Sequence, residues 1–224
     1  GLGDVYKRQE NATAVNRGTI TLTSTQNSKE NYGMISAGGE RAQIDNDGII
    51  NLNGYDYAAS KEVGYGMSIG DGRANNNNTI NINRMYGYGM ASTEGTLTNN
   101  GTINLTNGGY GIMGESGESF NNKDATITIT GTPNMQNSYG MSMQDGTAKN
   151  FGQIDVTGGS VNSKTYGISV NGGNGLNHGL INMHSDNAFG LFDEGDGEIT
   201  NVAGGTINLY GNNSCLLYTS DAAD

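Results

Sequence analysis

The chain has 224 residues, enough for one or two domains, and is dominated by Gly (38) and Asn (32), with one Pro, one Cys and no Trp. Leu, Ile, Val and Phe make up about 17% of it, under the level at which composition alone suggests disorder, so an ordinary compact core is not expected. A net charge of −11, with the 11 basic residues scattered singly, argues against a nucleic-acid partner; no apolar run of about 20 residues supplies a transmembrane helix, and any export signal is expected outside this stretch.

From Thr19 onward the chain returns to one short pattern: GTITLT, GIINLN, NTININ, GTINLT, ATITIT, GQIDVT, GLINMH and GGTINLY. The first aliphatics, Ile20, Ile50, Ile80, Ile103, Ile127, Ile154, Ile181 and Ile207, are spaced 30, 30, 23, 24, 27, 27 and 26 residues apart. Two positions after each stands Leu22, Leu52, Ile82, Leu105, Ile129, Val156, Met183 or Leu209. Alternation of this kind predicts a half-buried strand, with all sixteen of these side chains pointing inward.

A second pattern, Tyr or Phe, then Gly, then Met or a large aliphatic, follows each of the first seven copies, at Gly33, Gly66, Gly89, Gly111, Gly140, Gly167 and Gly190. It predicts a second strand in which Tyr65, Met67 and Ile69 share one face, as do Tyr139, Met141 and Met143, and Tyr166, Ile168 and Val170. A weaker apolar mark at Ala74, Leu97, Phe120, Ala148, Leu176 and Ile199 predicts a third. Three short strands in each unit of about 23 to 30 residues predict an all-β chain, a single right-handed parallel β-helix (β-solenoid) of about eight coils over residues 11–214, with no α-helix of consequence.

Length variation concentrates between the isoleucine of a coil and its Tyr-Gly strand, which predicts loops projecting from one edge at Thr23 to Asn31, Asn53 to Gly64, Gly131 to Ser138 and Gly158 to Thr165. Asn stands four residues before the first Ile in six coils (Asn16, Asn46, Asn76, Asn99, Asn150 and Asn177), as expected of a structural amide ladder at a tight turn; Lys123 and Ala203 break the rule. The row Tyr65, Tyr88, Tyr110, Tyr139 and Tyr166 fits either an aromatic platform for sugars or an internal stack, and its alternation with Met and Ile favours the stack. The glycine beside each Tyr is expected to mark a bend or a φ unsuited to a side chain.

These GTINL-like and YGM-like strands resemble the passenger regions of autotransporter (type V secreted) surface proteins of Gram-negative bacteria, over about Asn11 to Ser214. The resemblance implies a cell-surface or extracellular protein delivered through an outer-membrane β-barrel outside this chain, which would be its one link to a membrane. The opening DVYKRQ and the closing CLLYTSDAAD resemble translated sequencing-adaptor remnants, which implies that residues 1–10 and 215–224 are non-native and that Cys215 carries no redox information. With the repeat lost after Ser214, both ends of the column are expected to lack a cap and to associate end to end.

The residues carry no constellation that argues for an enzyme. Asp193, Glu194, Asp196 and Glu198, in DEGDGE, read as a solvated Gly-rich loop, although carboxylates so spaced suit weak Ca²⁺ binding. His178 and His184 lack the further ligands zinc needs, and Asp45 and Asp47 flank Asn46 at a turn where Asp is common for backbone reasons. Thr19, Thr21, Thr23, Thr126, Thr128 and Thr130 start an ice-binding-like array that Ile49, Asn51, Asn53, Gln153, Asp155, His184 and Tyr210 interrupt. No catalytic, cofactor or metal residue is assigned. The expected function is a non-enzymatic stalk or adhesin whose loops meet a host or bacterial surface protein or glycan; the alternative is a carbohydrate-active β-helix, which needs acids and bases converging in one groove.

Overall fold

The computed structural model describes residues 12–25, 28–37, 39–55, 61–131, 136–158 and 162–220. Among these residues there are 24 strands and no helix. The strands form three eight-stranded sheets, each taking every third strand of the chain. Every pairing is parallel. A chain that adds one strand to each of three sheets and then repeats is a parallel β-helix.

The asparagine sheet contains Thr13–Asn16, Gln43–Asn46, Arg73–Asn76, Thr96–Asn99, Glu118–Asn121, Thr147–Asn150, Asn174–Asn177 and Glu198–Asn201. The isoleucine sheet contains Thr19–Thr23, Ile49–Asn53, Thr79–Asn83, Thr102–Leu105, Thr126–Thr130, Gln153–Thr157, Leu180–His184 and Thr206–Leu209. The tyrosine sheet contains Glu30–Ser36, Val63–Ile69, Tyr86–Ser92, Gly109–Gly114, Ser138–Met143, Thr165–Val170, Ala188–Asp193 and Cys215–Thr219. The last of these takes the place where a Tyr-Gly strand is due: Leu217 pairs with Leu191 and Tyr218 with Phe192.

The sixteen aliphatic side chains of the isoleucine sheet all pack in the core. Those from Ile50 to Met183 are fully buried, while Ile20, Leu22, Ile207 and Leu209 in the outermost coils are partly open. Like stacks on like: Ile80, Ile103, Ile127 and Ile154 are direct register partners down the column. The third apolar mark is corrected at two coils. Register places Ser119 opposite Leu97 and Gly175 opposite Ile199, so Phe120 and Leu176 sit one position on and face outward. Phe120 instead lies under the Lys149 ammonium, 5.1 Å from its ring centre.

The tyrosine sheet departs from strict alternation. Gly64 and Gly66 are buried while Tyr65 between them is half-buried, and Met67, next in line, is buried as well. The inward run Gly66–Met67 turns the pleat by one residue, so Tyr and Met do not share a face as expected. The glycine is required by space and not by φ: none of the seven motif glycines has a positive φ. A Cβ on Gly66 would lie 2.4 Å from Ile80 Cγ2 and 2.6 Å from the Gly89 carbonyl oxygen, and one on Gly111 would lie 2.4 Å from Ile127 Cγ2 and 2.5 Å from the Gly140 carbonyl oxygen. Contacts this close leave no room for a methyl group.

The asparagine ladder is complete. Asn121 and Asn201 fill the two gaps: Nδ2 of each amide donates to Oδ1 of the next through Asn16, Asn46, Asn76, Asn99, Asn121, Asn150, Asn177 and Asn201, at 2.8 to 2.9 Å. Coils five and eight simply carry two extra turn residues, placing Asp124 and Gly204 in left-handed backbone, φ 68° and 95°. The inner members from Asn46 to Asn177 are fully buried, and a buried amide with both halves bonded avoids the desolvation penalty.

Candidate binding groove over the tyrosine ladder

Seven aromatic rings stack along the outer face of the tyrosine sheet. Centroid separations are 4.8 Å for Tyr32 to Tyr65, 4.7 Å to Tyr88, 4.9 Å to Tyr110, 4.4 Å to Tyr139, 4.6 Å to Tyr166 and 5.3 Å to Phe189. The internal stack favoured from alternation is therefore corrected: the row stacks, but outside the column, because the glycine bend puts Tyr on the opposite face from Met. Each inner ring is stacked on both faces by its neighbours. Tyr86 stands perpendicular to the row, 5.9 Å from Tyr88 and 6.0 Å from Tyr110.

The corner between the isoleucine and tyrosine sheets carries all four expected loops, whose residues 26–27, 56–60, 132–135 and 159–161 lie outside the described ones. They are arranged in pairs. The loops of coils one and two are joined by Ser24 N–H to Asn53 O and Val63 N–H to Lys29 O. Those of coils five and six are joined by Gly131 N–H to Thr157 O, Ser138 N–H to Lys164 O and Lys164 N–H to Asn137 Oδ1. Coils three and four have short connections, 84–85 and 106–108, so connection length steps up between coils four and five.

A groove of about 520 Å³ opens at that step, lined by Tyr86, Tyr110, Gln136, Asn137, Tyr139, Asn162 and Ser163. The Tyr86 hydroxyl donates to the Asn137 carbonyl at 2.7 Å, tying the coil-five loop to the ladder two coils away. Burial pushes the phenols of Tyr86, Tyr110 and Tyr139 above their ordinary value, with neighbouring phenols adding to the effect at Tyr86 and Tyr110. Among the described residues the groove lining is thus uncharged and rich in paired donors and acceptors. The sequence signals for it were loop length and the additional Tyr86, neither of which identifies a site until neighbouring coils are compared.

The acidic and histidine candidates do not converge. Asp193 is buried and accepts the Gly195 N–H at 3.1 Å, and no three Asp, Glu, His or Cys side chains among the described residues are placed to hold a metal ion. His178 stacks on Phe151 at 4.6 Å and His184 on Tyr210 at 4.3 Å. Asp45 and Asp47 have a role beyond the turn, as terminal acceptors. Asp47 accepts from Asn77, whose Oδ1 accepts from Asn100, whose Oδ1 accepts from Asn122; Asp45 accepts from Asn75. Asp155 likewise accepts from Asn182, which accepts from Asn208. A carboxylate only accepts, so it fixes the direction of each ladder that ends on one. Along the isoleucine sheet, Thr79, Thr102 and Thr126 are register partners, but Ile49 and Gln153 interrupt the threonine column on either side.

Comparison with protein-family models, with curated proteins and with solved structures gave no match to this chain.

Proposed function

We propose that this chain is a stretch of a non-enzymatic bacterial surface solenoid, an autotransporter-type passenger, that works as a spacer and presents its loops and tyrosine ladder to partners at the cell surface. The observation that carries this reading is where the polar side chains spend their hydrogen bonds. Asp45, Asp47, Asp155 and the asparagines bond to their counterparts one coil away, so the groups an enzyme would aim at a substrate here hold coil to coil. The groove lining holds amides, phenols and one aliphatic hydroxyl, with no acid and base paired for proton transfer among the described residues.

The test joins the whole chain between a secretion signal and an outer-membrane barrel in a Gram-negative host. The expected result is a chain on the outside of intact cells, cut by added protease. Retention inside the cell, or release of new reducing ends or unsaturated sugars when the purified chain meets a polysaccharide panel, overturns the reading.

A further inference from the structure

We infer that the groove over Tyr86, Tyr110 and Tyr139 is a binding site for a short neutral glycan segment, held by amide, phenol and hydroxyl hydrogen bonds. The inference deepens the surface-interaction reading and rests on it only for where such a glycan is met.

The lining selects by chemistry. The lining consists of primary amides (Gln136, Asn137 and Asn162) and hydroxyls (Ser163 and three tyrosines), of which the Asn137 oxygen and the Tyr86 O–H are already engaged within the protein, so that the Asn137 Nδ2 and the Gln136 amide carry the recognition. An apolar ligand would strip water from these groups without replacing its hydrogen bonds. An anion finds no cation in the lining and meets a chain of net charge −11. A cation is drawn by that same net charge, yet among the described residues no carboxylate lines the groove to receive it; Glu194, whose charge is felt at Tyr139 and Tyr166, stands outside the lining. A polyol, with mixed donors and acceptors on every ring and no charge, matches the set.

Shape agrees with chemistry. About 520 Å³ lies within the range of small-ligand sites, roughly 300 to 1,000 Å³. The groove is open along the ladder, and the next hydroxyl-bearing ring in either direction, Tyr88 or Tyr166, lies one coil further on, stacked 4.9 Å from Tyr110 or 4.6 Å from Tyr139. A linear chain of sugars can therefore extend past the groove without meeting a wall of different character. The site is also preorganised: Asn137 is pinned through its side-chain oxygen by Lys164 N–H and through its carbonyl by Tyr86.

The test titrates the full 224-residue chain with neutral hexaoses, namely cello-, malto-, laminari-, manno- and chitohexaose. Because the protein has no Trp, tyrosine emission reports the ladder directly. At least one hexaose is expected to saturate the signal with a Kd between about 10 µM and 1 mM. Gln136→Ala, which keeps the backbone carbonyl that accepts the Ser138 hydroxyl, and Tyr110→Phe are each expected to weaken binding about tenfold. Thr98→Ala, on the outer face of the asparagine sheet, is expected to leave it unchanged. Affinity should hold between about 0.05 and 0.5 M salt, since the lining carries no charge.

The inference falls if no hexaose saturates at about 10 mM, where even a millimolar Kd would show, while circular dichroism confirms a folded chain. It falls equally if the two groove variants bind as well as the parent. Salt-sensitive binding of a basic peptide that competes with the hexaoses would reassign the groove to a cationic partner. Cell-surface display without sugar binding sinks the glycan site alone, and sugar binding without display sinks only the passenger reading.

Discussion

Asn121 Nδ2 donates to Asn150 Oδ1 at 2.8 Å between adjacent coils, although the two residues stand six and four positions before their isoleucines, Ile127 and Ile154. The side-chain ladder, rather than residue spacing, sets where each asparagine strand ends, and the turn absorbs the surplus in a left-handed residue, Asp124. Loss of one amide should therefore be costly wherever it falls in the buried ladder. Asn121→Ala leaves the buried Asn150 oxygen without its ladder donor and is expected to lower stability by about 2 to 4 kcal/mol in urea unfolding. Asn104→Ala, in a half-buried outer ladder, should cost less than about 1 kcal/mol. Equal losses at the two sites would deny the inner ladder its special weight.

Glycine is needed at the motif position because two atoms already fill the space. Gly111→Ala forces a methyl group against Ile127 Cγ2 and the Gly140 carbonyl oxygen, and should destabilise by about 1 to 3 kcal/mol or more. Adding Ile127→Ala removes the side-chain clash but not the carbonyl one, so it should not restore stability. Gly18→Ala meets nothing within 4 Å and serves as the control, expected within about 0.5 kcal/mol of the parent. A Gly111→Ala protein as stable as the parent would show that the tyrosine sheet slides to make room.

The column was legible in the sequence because its signal is local: an inward residue every second position, at Ile80 and Ile82 for example, survives any variation in loop length. The tyrosine face was not. Tyr65, Met67 and Ile69 alternate on paper, and only the packing of Gly66 on Ile80 reveals that the pleat turns between Tyr and Met. Phe120 and Leu176 misled for a related reason, since large apolar side chains suggest burial, whereas the register gives the inward places to Ser119 and Gly175. The groove is a relationship between residues of four different coils, and single-coil patterns hold no record of what a neighbouring coil places beside them.

Three outer ladders end on carboxylates, at Asp45, Asp47 and Asp155, so converting a donor in one of them to an acceptor should produce a pH-dependent defect. Asn182→Asp places a second carboxylate 2.7 Å from Asp155, where like charges raise the carboxyl pKa. A folded-state pKa above the unfolded value means that stability is lost as pH rises through it and recovered below the ordinary carboxylate range. At low pH a protonated acid donates in place of the amide. The variant should unfold more readily than the parent at pH 7 and converge with it near pH 4, as followed by thermal melts; a constant offset across this range would contradict the ladder's direction.

The tyrosine ladder makes the opposite end of the pH scale informative. Burial raises the phenols of Tyr65, Tyr86, Tyr110, Tyr139 and Tyr166 above the ordinary value of 10.0. Below pH 10 both folded and unfolded chains hold these protons, so the ladder adds no pH dependence there. Above it the unfolded chain releases them first, and stability falls as pH rises. Phenolate absorbance should therefore appear together with loss of β circular dichroism above pH 10, and Tyr110→Phe should make that fall shallower. Full phenolate formation in a chain that stays folded would refute the shielding of the ladder.

A solenoid held by nearest-neighbour stacking should tolerate removal of a whole coil but not of a near-coil. Ile80 and Ile103 are register partners 23 residues apart, as are Thr79 and Thr102. Deleting residues 80–102 joins Thr79 directly to Ile103, so that Asn76 meets Asn121, Tyr65 meets Tyr110 and Gly66 packs on Ile103 in place of Ile80. Every interface left is of a kind already present, and stability should drop by no more than one coil's share. Deleting residues 80–103 joins Thr79 to Asn104 instead. The strand must then either turn Leu105 outward or shorten the tight turn after Asn76, and with a side-chain period of two a one-residue slip moves the inward set to solvent. The first deletion is expected to give a soluble β-rich protein with a single unfolding transition, and the second an aggregated or molten one. Comparable solubility and melting for the two would show that the register of the isoleucine sheet does not govern the fold.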